Sequence, residues 1–352
     1  MTTPDLPNFD GLLDWPRLQA WIDAQDLPGS GPVIQVDALK GGSQNALFML
    51  HRGDARLVLR RPPRHLRANS NDTMLREARV LRAIKGSGVP HPEFLAVCED
   101  MGVIGAAFYL MAPLDGFTPQ GKLPGQYATD AAWRRAMGEE MVRAAAALSA
   151  VDPYAVGLGD FGKADNWLER QVSRWRGQLD SYTEMEGYGG SQLPHVDTVG
   201  AWLERHRPAR ARIGLIHGDC QFANVMFRHD QPQLAGLIDW ELSTLGDPLL
   251  DLGWILTSWT EPNDPQVGGR QPAVLPWDGF MTRAELVRRY GELTGRDMSV
   301  MPWFFVLACY KLGCLLEGTY ARACAGKAPK EMGDILHNYA IWLFELAHQS
   351  LE

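Results

Sequence analysis

The chain has 352 residues, of which 45% are hydrophobic and 22% charged, so we expect a globular protein long enough for two domains or for one domain with two lobes. A formal net charge of −8 argues against nucleic acid or an anionic membrane as the main partner. Five cysteines without a C-x-x-C spacing predict neither a disulfide framework nor a zinc site, and the absence of a signal-peptide pattern predicts a cytoplasmic protein.

The first third of the chain predicts a small antiparallel sheet with one helix packed on it. Alternating apolar residues indicate the strands, a Gly53-Asp54 turn joins two of them, and helical spacing of apolar residues indicates the helix. In chain order, the expected elements are a short helix at 18–24, three strands within 32–61, a helix at 73–85, and strands at 93–98 and 104–111.

Three features of this region are typical of a nucleotide site. In the loop GGSQN, the glycines would let backbone around Ser43 approach phosphates, although a plain hairpin turn is the simpler explanation. Successive strand residues point to opposite faces, so only one arginine of LVLRRPP can enter a cleft, and we choose Arg60. Glu77 lies on the apolar face of the next helix, where a carboxylate needs a cation, so we expect an Arg60–Glu77 pair that holds phosphates. The alternative is a surface salt bridge without function.

A segment rich in proline and glycine, APLDGFTPQGKLPG, divides the chain into a nucleotide-binding region at 1–112 and a catalytic and acceptor-binding region at 113–352. Two short apolar runs in the second region predict strands on either side of a polar loop. An apolar stretch around 302–310 is cut by Lys311 and is too short to span a bilayer. The expected helices are 130–150, 164–180, 196–206, 247–259, 282–294, 301–325 and 329–350.

The polar loop HGDCQFAN has the spacing of a kinase catalytic loop, in which an Asp faces the acceptor hydroxyl and an Asn five residues later holds magnesium. These residues are Asp219 and Asn224. Asp239, in LIDWE, then stands where a second carboxylate bridges metal ions to the phosphates. Mg²⁺ prefers such oxygen ligands. Either motif alone could be a turn whose Asp and Asn cap backbone groups, but their order and separation favour phosphoryl transfer.

Two further residues are predicted to support the loop. No second histidine lies near His217 in the sequence, so we expect its ring to hydrogen-bond to backbone and shape the loop rather than bind zinc. Asp251 falls near the start of a predicted helix, and we expect it to point back and bind the amides of the loop.

The acceptor should meet the helices of the second region. Lys311 and Arg322 are eleven residues apart on one face of a predicted helix, so together they could receive an anionic substrate. A solvated basic surface explains them equally well. Aromatic residues such as Trp254 could line an acyl pocket, although aromatic residues at helical spacing usually belong to a core.

The stretches HGDCQFANVMF, LIDWELSTLGDPLLDLGW, GGSQN, LVLRRPP and FYLMAPLDG make almost the whole chain resemble the aminoglycoside phosphotransferase and choline kinase superfamily. The resemblance implies an α+β, bilobal protein-kinase-like fold, with an antiparallel sheet and one helix in the N-terminal lobe and a larger, mostly helical C-terminal lobe. It implies ATP and Mg²⁺ as cofactors and a small-molecule hydroxyl as acceptor. The implied roles are Asp219 as catalytic base, Asn224 and Asp239 as metal ligands, Arg60 with Glu77 at the phosphates, and the backbones of Ala112 and Leu114 at adenine.

One departure from the family pattern is Arg60, because these enzymes usually carry Lys on the third strand. Arg60 instead resembles the subgroup of kinase-like domains fused to some acyl-CoA dehydrogenases. The acceptor that Lys311 and Arg322 suggest is an anionic hydroxyl compound, such as a hydroxy acid or a hydroxyacyl-CoA. An aminoglycoside or an amino alcohol is the alternative acceptor. A nucleotide-binding pseudokinase is the alternative function, and the replacement of Lys by Arg60 is the only feature of the sequence that supports it. A metal-dependent hydrolase would need more clustered ligands, and a protein kinase would need an A-P-E stretch after Asp239.

Overall fold

The computed structural model describes residues 6–39, 45–268 and 272–351. They form two compact units. The first unit runs to Gly116 and also includes Ala235–Ser243, whereas the second comprises Phe117–Leu234 and the chain from Thr244 onwards.

This grouping differs from the predicted division at residues 112 and 113, chiefly at Ala235–Ser243. That segment lies late in the sequence but belongs to the first unit. Several contacts join it to the first unit, since the amide of Leu237 donates to the Pro90 carbonyl at 2.9 Å and Asp239 pairs with Arg60. Charge pairing across a large sequence separation is invisible to a division based on composition.

The first unit is a five-stranded antiparallel sheet with two helices, as predicted. The strand order is β1-β2-β3-β5-β4, and β2 and β3 form a hairpin through Gly53, whose φ of +59° suits a tight turn. The elements are α1 (Trp15–Asp23), β1 (Val33–Leu39), β2 (Ala46–Arg52), β3 (Ala55–Arg61), α2 (Ser70–Ala83), β4 (Phe94–Cys98) and β5 (Phe108–Met111).

The two faces of the sheet differ in the side chains that they carry. Leu57 and Leu59 of β3 point into an apolar core that also contains Leu18 and Ile22 of α1. Because side chains alternate along a strand, Arg60 points to the opposite face, which α2 covers. The sheet therefore has one mainly apolar face, where the buried Arg61 donates to the backbone carbonyls of Leu12 and Ile104, and one face that holds the Arg60–Glu77 pair.

The second unit is mostly helical, and the predicted helices are present. Only α5 begins clearly later than expected, because residues 165–170 form turns. The two-residue strands β6 and β11 were missed because they are too short to show a pattern. The elements are β6 (Gly121–Lys122), α3 (Gly125–Thr129), α4 (Ala131–Ser149), α5 (Gln171–Ser181), α6 (Val196–Arg205), β7 (Gly214–Ile216), β8 (Val225–Phe227), β9 (Leu234–Leu237, which continues into the first unit), β10 (Thr244–Gly246), α7 (Leu249–Ser258), β11 (Val274–Leu275), α8 (Arg283–Thr294), α9 (Met301–Cys324) and α10 (Lys330–Gln349).

Helix α9 is the centre of this unit and packs against α5, α6, α7 and α10. It is long and apolar enough to cross a bilayer by length and composition, but 78% of its most apolar stretch is buried, so it is accounted for as a core helix. Glycines allow its neighbours to approach closely. A Cβ on Gly253 of α7 would lie 2.7 Å from the carbonyl oxygen of Phe304 on α9.

Candidate functional site

In the first unit, Arg60 joins two acidic residues. Its Nε lies 2.8 Å from Glu77 Oε2, and its Nη2 donates to Glu77 Oε1 at 3.2 Å and to Asp239 Oδ1 at 2.7 Å. The side chains of Arg60 and Glu77 are 8% and 1% exposed. The Arg60–Glu77 pair expected from the sequence is therefore present and buried, and Asp239 is a third member that the sequence did not predict.

Tyr109 is a further member of this cluster that sequence reasoning missed. It lies directly across from Arg60 in the β3–β5 register, and its hydroxyl donates to Glu77 Oε2 at 3.0 Å. Burial lowers the pKa of Arg60, but the charges of Glu77, Tyr109 and Asp239 raise it well above its ordinary value, so the guanidinium stays charged. Burial also raises the pKa of Glu77, an effect that Arg60 opposes.

Asp239 follows β9 in a left-handed conformation, with φ of +65° and ψ of 68°. A left-handed backbone is uncommon for a residue other than glycine, and such strain is often found at functional sites. Its side chain is 37% exposed, although one oxygen is bound to Arg60. Carboxylate oxygens of Glu77, Asp239 and Glu241 lie within 4.8 Å of one another. The first unit thus concentrates acidic oxygens around a single guanidinium.

The segment proposed to meet adenine follows β5. The amide of Ala112 donates to the carbonyl of Glu93 at 2.8 Å. Among the described residues, nothing hydrogen-bonds to the Ala112 carbonyl or to the backbone of Leu114. Gly236 lies against Leu114, since a Cβ there would come within 2.8 Å of the Leu114 side chain. Open donors and acceptors beside an apolar surface suit a purine edge. Ser43 lies outside the described residues.

In the second unit, the loop between β7 and β8 is held by Asp251 of α7. Asp251 accepts hydrogen bonds from the amides of His217 at 2.7 Å and Gly218 at 2.9 Å. Gly218 has φ of +85°, which favours glycine. The ring Nδ1 of His217 accepts from the amide of Asp219 at 3.3 Å. Both residues therefore bind loop backbone. Asp251 is buried, and this burial raises its pKa.

The carboxylate of Asp219 accepts three side-chain hydrogen bonds. Oδ1 accepts from Gln221 Nε2 at 2.7 Å and from Trp254 Nε1 at 2.8 Å. Oδ2 accepts from Asn224 Nδ2 at 2.6 Å, and the same amide group donates to the Asp219 carbonyl at 3.0 Å. Asp219 is only partly buried. The loop thus fixes one carboxylate and leaves it accessible.

Gln221 and Trp254 are site residues that the sequence analysis did not assign. Gln221 lies inside HGDCQFAN, only two residues after Asp219, so its position in the sequence could have indicated a contact with that carboxylate. Trp254 was considered only as a possible pocket wall or core residue. It comes from α7, thirty-five residues after Asp219, and no local pattern indicates that its indole N–H reaches the loop.

The structure does not bring Lys311 and Arg322, the expected anionic-substrate residues, together. Eleven residues of helix separate them by about 16 Å along the axis. Lys311 is buried, with Nζ 3.4 Å from the Gly218 carbonyl, whereas Arg322 is exposed and binds Thr319 on its own helix. The sequence places Lys311 and Arg322 on one face of the helix, but it does not show that other helices cover this face at Lys311 and leave it exposed at Arg322.

Each unit, taken by itself, offers an oxygen of the kind that Mg²⁺ prefers. Asn224 uses its Nδ2 twice, while its Oδ1 accepts no hydrogen bond within the described ranges. One oxygen of Asp239 is paired with Arg60, and its carboxylate is partly exposed. These are hard oxygen donors of the kind Mg²⁺ prefers, with no thiolate or imidazole among them.

Comparison with known proteins places this geometry in context. Residues 35–297 match the model of the phosphotransferase enzyme family. A Ralstonia eutropha protein, named as a candidate aminoglycoside phosphotransferase, is 30% identical; the alignment covers 96% of this chain and 98% of that one with a TM-score of 0.78. Acyl-CoA dehydrogenase family member 10 of Mus musculus is 31% identical over 294 residues, which are 82% of this chain but 26% of that protein. This chain therefore spans about a quarter of that relative's length.

A more distant structure shares the fold alone. The streptomycin–ATP complex of APH(2″)-IIa superposes with a TM-score of 0.56 at 16% identity, covering 86% of this chain and 90% of the other. The fold is the protein-kinase-like fold, as predicted, with the antiparallel sheet in one unit and most helices in the other.

Proposed function

The chain belongs to the phosphotransferase enzyme family, and from this premise we propose that it transfers the γ-phosphoryl group of ATP to a hydroxyl group of a small molecule. The observation that carries the proposal is the carboxylate of Asp219, which three side-chain donors fix in one orientation. Phosphoryl transfer asks the protein mainly for positioning and charge stabilisation, and this loop supplies the positioning.

Asp219 acts as the base that orients the acceptor hydroxyl. Its Oδ1 already accepts two hydrogen bonds, whereas Oδ2 accepts one, so Oδ2 has the greater capacity to receive the proton of the hydroxyl. Asp251 and His217 hold the backbone from which Asp219 extends. A fixed carboxylate needs no reorganisation when the hydroxyl arrives.

Arg60 and Asp239 serve the nucleotide. The guanidinium stays charged and is oriented by Glu77, which leaves a planar donor for phosphate oxygens. Asn224 Oδ1 and a carboxylate oxygen of Asp239 are the atoms that would hold Mg²⁺, whose charge would offset that of the phosphates. The open backbone groups of Ala112 and Leu114 would pair with the adenine edge.

The acceptor is a hydroxy acid or a hydroxyacyl-CoA, in this proposal. Support comes from the Mus musculus relative, whose name refers to acyl-CoA dehydrogenases and a quarter of whose length matches this chain. The Ralstonia eutropha protein carries the name of a different acceptor class, the aminoglycosides. We place the reaction in the cytoplasm, without nucleic acid or membrane as a partner.

The test is a product screen. Purified protein is incubated with Mg-ATP and a pool of hydroxy acids, hydroxyacyl-CoAs, amino alcohols and aminoglycosides, and mass spectrometry detects any compound that gains one phosphoryl group. A phosphorylated hydroxy acid or hydroxyacyl-CoA supports the proposal. A phosphorylated aminoglycoside or amino alcohol supports the transferase but replaces the acceptor class. Mg-ATP binding without any product favours the pseudokinase.

Two substitutions test the assigned roles, as a first prediction. Asp219→Asn removes the base and should lower turnover at least 100-fold, within the range of about 10²–10⁴ that general bases contribute, while Mg-ATP still binds. Asp239→Asn should weaken Mg-ATP binding itself, as measured by calorimetry. Asp230→Asn, which changes an exposed aspartate of the second unit, is the matched control. Near-normal turnover of Asp219→Asn would show that Asp219 is not the base.

A further inference from the structure

Lys311 is a buried cation that the proposed reaction does not use directly. It lies on α9, and its side chain is almost completely covered. In the part of the chain that the structure describes, no carboxylate forms an ion pair with its ammonium group, and its one hydrogen bond is the 3.4 Å contact with the Gly218 carbonyl. A buried ammonium group that is in no ion pair is costly, even with Asp219 and Asp251 nearby, so its position needs a cause.

The first contact of Lys311 fixes a peptide group. The carbonyl of Gly218 and the amide of Asp219 belong to the same peptide unit. Lys311 donates to the oxygen of this unit, and the amide of the unit donates to His217 Nδ1 at 3.3 Å. The amide of Gly218 in turn donates to Asp251. The backbone that carries Asp219 is therefore held on both sides, and Lys311 supplies the contact to its oxygen.

The second contact reaches the Asp219 side chain through a tryptophan. Lys311 Nζ lies 4.4 Å from the ring centroid of Trp254 and 5.3 Å from that of Trp175. The edge of the Trp254 ring donates its N–H to Asp219 Oδ1 at 2.8 Å. A cation over the face of an indole withdraws electron density and strengthens the N–H as a donor. The indole of Trp254 therefore contacts the ammonium group of Lys311 with its face and the carboxylate of Asp219 with its N–H.

We propose that Lys311 is a positioning residue for Asp219, which it orients through the Gly218 carbonyl on one side and the indole of Trp254 on the other. The importance of this for catalysis rests on the function proposed above, whereas the coupling between Lys311 and Asp219 does not. The proposal also replaces the prediction that Lys311 contacts the acceptor, since its ammonium group lies against the loop backbone and two indole rings.

A spectroscopic test measures the coupling without any turnover. The chain has 12 tryptophans, so a ¹H–¹⁵N spectrum contains up to 12 indole signals, and Trp254→Phe identifies the signal of Trp254. Asp219→Asn should move this signal, and Lys311→Met should move it upfield because the N–H becomes a weaker donor. Lys311→Arg, which keeps the charge, should restore part of the shift. Lys330→Met, on an exposed lysine of α10, is the matched control.

The remaining indole signals show whether each variant is folded. The proposal would be overturned if Asp219→Asn moves the Trp254 signal but folded Lys311→Met leaves it unchanged. If Lys311→Met does not fold, Lys311→Gln and Lys311→Arg take its place. The two must then differ at Trp254, because only the second carries the charge.

Turnover supplies the second readout. With Mg-ATP and the acceptor found in the screen, Lys311→Met should lower kcat about 10–100-fold with little change in the KM of either substrate, as expected for residues that orient a reacting group. A raised KM for the acceptor with an unchanged kcat would mean that Lys311 binds the acceptor, contrary to the proposal. A wild-type protein that transfers no phosphate would contradict the proposed function, and the indole shifts would still decide whether Lys311 positions Asp219.

Discussion

Arg60 combines two tasks that a lysine would perform differently. One nitrogen, Nη2, donates to both Glu77 and Asp239, and Nε faces Glu77 as well. A planar guanidinium can bind several oxygens at once in a fixed geometry, whereas an ammonium group is a compact point charge. Arg at this position in place of Lys therefore still allows phosphate binding. The guanidinium of Arg60 connects Glu77 of α2 to Asp239 and stays charged.

The buried state of Glu77 gives the second prediction. Arg60→Met leaves this carboxylate, which is 1% exposed, without its cation, so the unfolding free energy of the protein should fall by about 3–5 kcal/mol. Adding Glu77→Gln removes the unpaired charge but still offers an oxygen to Tyr109, so the double variant should recover part of the loss. Urea denaturation measures both effects.

Arg56→Met, on an exposed arginine of the same strand, is the control and should change stability by less than about 0.5 kcal/mol. If Arg60→Met costs no more than this control, the cluster does not depend on the ion pair. If Glu77→Gln gives no recovery in the Arg60→Met background, the loss comes from packing of the long arginine side chain rather than from the unpaired charge.

At the scale of elements, close helix contacts place the residues of the second unit. Helix α7 carries Asp251 and Trp254, and α9 carries Lys311, so the distance between these helices sets the geometry around Asp219. Gly253 makes the approach possible, because any Cβ there would meet backbone of α9. Backbone cannot move aside as the end of a flexible side chain can.

The third prediction contrasts two helical glycines. Gly253→Ala should lower the unfolding free energy by about 1–3 kcal/mol, because the added methyl group would lie 2.7 Å from the Phe304 carbonyl. Gly177→Ala in α5, where a Cβ meets nothing within 4 Å, should instead raise it by about 0.5–1 kcal/mol through helix propensity. Thermal or urea unfolding measures the sign in each case. A stabilising Gly253→Ala would show that α7 and α9 can separate without cost.

The sequence predicts most helices and strands. It predicts contacts between residues only where those residues are close in the sequence. Helices and strands were found because apolar residues repeat at a fixed spacing, and the loop HGDCQFAN because its residues act within eight positions. The Arg60–Glu77 pair was also accessible, since a carboxylate on an apolar helix face implies a cation. The contacts of Trp254 and Lys311 with the loop that carries Asp219 were not predicted, because they depend on which helices cover which faces, and this is decided by packing.

At the scale of the whole molecule, each unit places some of its buried charged groups beside the candidate site residues. In the first unit these are Arg60 and Glu77, and in the second Asp251 and Lys311 contact the loop that carries Asp219. Other buried groups, such as Arg134 and Glu317, have partners elsewhere in the second unit. Burying charged groups lowers stability, so a protein retains such groups where their orientation is useful. The dependence of the unfolding free energy on pH should therefore report these groups, and for Lys311 the shifted pKa lies in a range that urea denaturation can reach.

The last prediction follows from this shift. Burial lowers the pKa of Lys311 from its ordinary value of 10.5 to about 8, although Asp251 and Asp219 oppose the change, and Arg174 adds to it. At pH 7 the amine is protonated in the folded and the unfolded chain, so the full cost of burying the charge is present. Between pH 8 and 10.5 the unfolded chain binds more protons than the folded one, and stability from this group rises with pH. The total gain is about 3 kcal/mol.

Lys311→Met has no such proton and should lack this gain. The difference in unfolding free energy between Lys311→Met and the wild type should therefore shift by about 3 kcal/mol in favour of the wild type between pH 7 and pH 10.5, measured by urea denaturation at each pH. Other groups that titrate in this range are present in both proteins and cancel in the difference. Lys330→Met, whose lysine is 83% exposed, should show no comparable shift. A difference that stays constant with pH would mean that Lys311 keeps its ordinary pKa in the folded protein, and hence that its ammonium group is better solvated than its burial implies.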